Sequence, residues 1–89
     1  MDHILLIVAD ARRQLSDGIW RAQFALLDDE ERVARTKALL AAISPELELH
    51  EIVREPGEAG WTIHWGHAAG GSVTDIATQV PPGGWPHPR

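Results

Sequence analysis

The segment from Glu46 to Trp65 constrains the fold more than any other, because its apolar residues alternate instead of recurring at helical spacing. Leu47, Leu49 and Val53 alternate with Glu46, Glu48, His50 and Ile52. Beyond the turn sequence Glu55-Pro-Gly-Glu58, Trp61, Ile63 and Trp65 alternate with Thr62 and His64. Strand side chains point to opposite faces with a period of two, so this pattern predicts an antiparallel β-hairpin of residues 46–54 and 60–66. Trp61, Ile63 and Trp65 then share one face, and Thr62 and His64 the other.

A third strand is expected at Ile4-Leu-Leu-Ile-Val-Ala9, a short apolar run rich in β-branched residues and bounded by polar ones. Such a run suits a strand covered on both faces, at the centre of the sheet. Helical spacing takes over next. Ser16-Asp17-Gly18 offers an N-cap, and Ile19, Ala22, Gln23 and Leu26 recur with a helical period, predicting a helix from Asp17 to Leu27. Asp28-x-x-Glu31 has the form of a capping box, whose carboxylates favour a new helix start. Residues 17–44 are therefore one long helix or two joined near Asp28, stopped by Pro45. After Gly70-Gly71, Ser72-Val-Thr-Asp75 is expected to open a short helix anchored by Ile76 and Val80. The fold class is α+β: a small three-stranded sheet with its hairpin packed on one long or two short helices. Residues 1–80 are expected to form one domain, and Pro81-Pro-Gly-Gly-Trp-Pro-His-Pro-Arg89 an extended or disordered tail.

With 89 residues, the chain is of a size that buries only about 60 to 65% of its unfolded surface, which leaves little room for a deep pocket. The absence of cysteine excludes disulfides, thiolate metal sites and cysteine nucleophiles. The longest apolar run is far short of a membrane span, and Met-Asp-His lacks the basic start of a signal peptide, so a cytoplasmic protein is expected. The formal net charge of −5 comes with no clustered basic face of the kind phosphate binding needs, which disfavours direct nucleic-acid contact. Arginine supplies seven of the eight basic residues, as expected of a GC-rich bacterial or phage genome.

His64-x-x-His67 is the sharpest metal-like spacing, with Asp75 and His50 as further ligands. On a continuing strand, however, residues three apart diverge, so an exposed strand histidine and a loop histidine are expected, with no metal and no cofactor. Gly70-Gly71-Ser72 resolves in the same way, as turn chemistry without the lysine of a phosphate loop. Asp10 is a carboxylate with no second group identified to work with it, and Ser72, Thr74, Asp75 and His67 are only near in sequence.

The tryptophans carry more information. Trp20 and one of Trp61 or Trp65 are the core candidates, and Trp85 lies among the prolines of the tail. Tryptophan is favoured at binding hot spots, and free sheet edges invite another chain. Glu46, Glu48, Glu51 and Arg54 guard the 46–54 strand, which leaves 60–66, with Trp61 and Trp65, as the adhesive one. The expectation is a non-enzymatic, acidic protein–protein interaction module: a bacterial or phage inhibitor, immunity or antitoxin-like protein that masks a basic site on a larger partner. Its contacts would be Asp28, Asp29, Glu30, Glu31, Trp61, Trp65 and Trp85, and it could form a homodimer. The alternative is a small-ligand or metal-binding accessory protein or enzyme using Asp10, His64 and His67.

Overall fold

The structure, a computed structural model, describes residues 3–57, 59–68 and 75–82. Three helices, α1 (His3–Leu15), α2 (Gly18–Leu26) and α3 (Asp29–Ile43), precede three strands, β1 (Leu47–Arg54), β2 (Trp61–His67) and β3 (Ile76–Val80). The strands form one antiparallel sheet in the order β1-β2-β3. The molecule is α+β with a small sheet.

Two expected elements change type. Ile4–Ala9 is helix, not the central strand, because the apolar pattern runs past Ala9: Val8, Ala11 and Leu15 are buried, with Ile4 and Ile7 half-buried against them. Those positions follow a helical period, whereas Leu5 and Leu6, which make the run look continuous, are 56% and 69% exposed. Ile76–Val80 is a strand and not a helix. Ile76 and Val80 are four apart, a spacing that suits one helix face and one strand face equally. Thr78 between them decides: it is buried on the same side, while Ala77 and Gln79 are exposed. The proposed cap at Ser72 lies outside the described residues, as does Trp85 with most of the tail.

The break in the 17–44 segment falls at Leu27 and Asp28, both extended, so two helices form. Asp17 caps α2 by accepting from the Trp20 N–H at 3.0 Å, and Asp28 caps α3 by accepting from the Glu31 N–H at 2.9 Å. Arg32 then ties the two together. Its Nε donates to the Phe24 carbonyl and one terminal nitrogen to the Ala25 carbonyl, at 3.0 and 3.1 Å, while the other pairs with Asp29 at 2.9 Å. A fixed positive charge thus sits on the carbonyl end of α2, where the helix dipole favours it.

The hairpin pairs as the alternation predicts, from Arg54↔Trp61 to Leu47↔His67, and Glu55 N–H to Gly60 O at 2.8 Å closes it. Its register shifts between Leu49 and Glu51, which makes His50 a bulge. One residue of slip reverses the facing of all that follows, so Ile52, and not Val53, joins Leu47 and Leu49 on the helix side.

The core lies between the helices and the face bearing Trp61, Ile63 and Trp65, with α3 along β1 and α1 against α2, α3 and β2. Trp61 and Trp65 are both buried, 4% and 0% exposed, whereas Trp20 is half-buried and stacks on Phe24 at 5.1 Å. Trp65 Nε1 donates to Thr78 Oγ1 at 2.8 Å, joining the core to β3. Gly60 is the position where glycine is required: its φ is +92°, and a Cβ there would overlap the Val80 carbonyl oxygen and approach Pro81. Gly60→Ala is expected to destabilise the fold by at least about 1 to 2 kcal/mol, measured by chemical denaturation, from the positive φ alone.

Candidate functional site: the open face of the sheet

Among the described residues, helices cover one face of the sheet. Cross-strand register places Glu48, His50, Glu51 and Val53 of β1, Thr62, His64 and Gly66 of β2, and Ala77 and Gln79 of β3 on the other face, with Asp75 at its margin. None of the described residues on this face is lysine or arginine, while Glu48, Glu51 and Asp75 are exposed carboxylates. Arg54, the one cation on these strands, turns to the helix side and lies 4.6 Å over the Trp61 ring.

Two polar clusters organise the face. At the hairpin end, Thr62 donates to Glu55 at 2.7 Å and accepts from Gln79 Nε2 at 3.2 Å, so three segments are linked through one hydroxyl. At the other end Asp75 Oδ1 lies 3.4 Å from His50 Nδ1 and 3.6 Å from His64 Nδ1. The second nitrogen of His50 faces Glu48 at 3.7 Å. His50 reaches across the sheet because the bulge adds a residue to β1 beside Gly66, which has no side chain to stand in the way. Both imidazoles approach the same carboxylate oxygen; among the described residues no group of three His, Cys, Asp or Glu could hold a metal ion.

The residues singled out from sequence are distributed as follows. His64 is half-buried on the open face, and His67 is not a loop residue but the last residue of β2, buried on the helix side with its Nε2 3.1 Å from Glu46, so the two histidines do diverge. Asp10 is on α1, paired with Arg13, so Asp10, His64 and His67 do not converge. Trp61 and Trp65 line the core, and β2 is the middle strand, not an edge; neither ring offers a docking surface. Asp28, Asp29, Glu30 and Glu31 are all exposed on the helix side, Asp28 capping α3 and Asp29 pairing with Arg32.

No protein-family model matches the chain, and no curated protein or solved structure is found to match it.

Unbroken alternation along β1 does not reveal the open-face set. The signal is the spacing of Leu47, Leu49 and Ile52, which a strict period of two cannot place on one face and which a bulge at His50 accommodates. Among the described residues, no helix is long and apolar enough to cross a membrane.

Proposed function

We propose that the chain is a small interaction module whose open sheet face docks on a basic surface of a larger protein, in the manner of an inhibitor, immunity or antitoxin-like protein. The observation that carries this reading is the sign of that face: Glu48, Glu51 and Asp75 with no cation among its described residues. A rigid sheet holds these carboxylates at fixed separations, so a basic partner meets a preformed pattern and little ordering entropy is lost on contact. Half-buried His64 and the Thr62 network supply directional hydrogen bonds beside the charges. Glu30 and Glu31, on the helix side, add to the long-range field and make no contact with the same partner surface.

The test uses affinity purification from the native host with two bait variants. Glu48→Lys with Glu51→Lys is expected to lose the proteins that wild type captures and to slow association with a purified partner by about tenfold or more. Glu30→Lys with Glu31→Lys should retain the same proteins, with a smaller effect on rate. Wild-type capture should weaken as salt rises, since exposed charges are screened over about 10 Å at 0.1 M. A captured set that is unchanged by the Glu48 and Glu51 reversals would sink the reading.

A further inference from the structure

The two edges of the sheet are built differently. The outer edge of β1 is interrupted by the bulge at His50 and carries Glu48, Glu51 and Arg54 along its length. Bulges and charges of this kind are how sheets resist pairing with another chain. β3 has neither: Ile76-Ala-Thr-Gln-Val80 is free of charge and pairs with β2 in unbroken register from Trp65↔Ile76 to Trp61↔Val80. Among the described residues, no strand pairs with its outer side.

We propose that the outer edge of β3 pairs antiparallel with β3 of a second copy of this chain, through a two-fold axis at Thr78. The sequence of the strand is self-complementary about that residue. Ile76 falls opposite Val80 of the other copy on the helix side, and Ala77 opposite Gln79 on the open face, so buried and exposed faces continue across the axis. The same register puts each Asp75 opposite Pro81, at opposite ends of the seam, and keeps the two carboxylates apart. It is also the two-fold register in which all five β3 residues are paired. The two sheets become one, and the two acidic faces form a single surface about twice as wide. This surface is separate from the one that meets a basic partner, and the inference does not rest on that reading.

The experiment is a charge exchange at the two exposed open-face positions. Ala77→Lys with Gln79→Lys, and separately Ala77→Glu with Gln79→Glu, place like charges opposite one another across the axis. Wild type is expected to sediment as a dimer, each double variant alone as a monomer, and an equimolar mixture of the two variants as a dimer again. Restoration on mixing follows from pairing that brings the open-face positions 77 and 79 of the two β3 strands opposite one another, and not from a contact made elsewhere on the molecule. Because each chain carries a net −5, raising salt should favour the dimer, opposite to its effect on binding a basic protein. A wild type that stays monomeric up to millimolar concentration overturns the inference. So does a dimer that survives in both variants, as it would if the exposed Leu5, Leu6, Ile19 and Leu26 of the helices formed the contact, and so does a mixture that stays monomeric. Circular dichroism establishes that each variant is folded. Should one misfold, hydrogen exchange of wild type decides: protection of amides 76–80 that rises with protein concentration supports the pairing, and protection independent of concentration refutes it. No partner protein is present in any arm, so failure here leaves the acidic-face reading where it stands.

Discussion

Replacing Arg32 with methionine is expected to destabilise the protein by about 3 kcal/mol, far more than removal of any other arginine. Arg32 is a buried residue with every branch of its guanidinium engaged: the Phe24 and Ala25 carbonyls and the Asp29 carboxylate. Its flat face also lies 4.1 Å from the centre of the Trp61 ring, a cation–π contact shielded from water. Methionine keeps much of the packing volume but leaves two carbonyls at the end of α2 without this donor. Lysine is expected to recover less than half of the loss, since one ammonium on a flexible stem cannot reproduce a planar fork that serves three acceptors. By comparison Arg54, exposed and stacked on the same ring, should contribute about 1 kcal/mol or less. Urea denaturation of the four proteins checks the ranking. Equal losses for Arg32→Met and Arg54→Met would show that ring stacking, and not helix capping, is what Arg32 provides.

Trp65→Arg is expected to unfold the protein outright. Trp65 is fully buried at the centre of the middle strand, and its indole donates to Thr78 on β3. Truncating such a residue to alanine costs about 3 to 5 kcal/mol from lost burial and the cavity left behind. A domain of this length holds only about 5 to 10 kcal/mol in total. Arginine adds the penalty of a charge with no partner in the core. Thr78→Val is the milder companion: it leaves the buried indole N–H without its acceptor and should cost about 1 to 3 kcal/mol with the fold intact. Circular dichroism and tryptophan fluorescence read both variants. A Trp65→Arg protein that stays folded and merely changes its oligomeric state would mean that this ring faces solvent.

Local chemistry was legible wherever a short window carries its own answer. The hairpin, the cap at Asp28 and the stop at Pro45 each depend on residues a few positions apart, and each formed where the sequence placed it, while the first cap fell one residue on, at Asp17 in place of Ser16. The candidate site was less legible, because His50, His64 and Asp75 meet only through a bulge and the docking of β3. Linear spacing drew attention to His64 and His67, which the strand sends to opposite faces.

What the sequence determined by itself was an α+β chain with helix over 17–44, left open as one helix or two, and an antiparallel hairpin, since alternation, capping residues and prolines act through the backbone of their own segment. Only the tertiary structure decided the identity of Ile4–Ala9 and Ile76–Val80. In both segments the spacing of the apolar residues fits helix and strand nearly as well, and burial against a neighbour breaks such a tie. In the structure α1 gains its burial from α2, α3 and β2, and β3 gains ladder hydrogen bonds and the Thr78–Trp65 contact from β2. With β3 on its far side, β2 becomes the middle strand, so Trp61 and Trp65 belong to the core and the exposed chemistry of the sheet is carboxylate and imidazole.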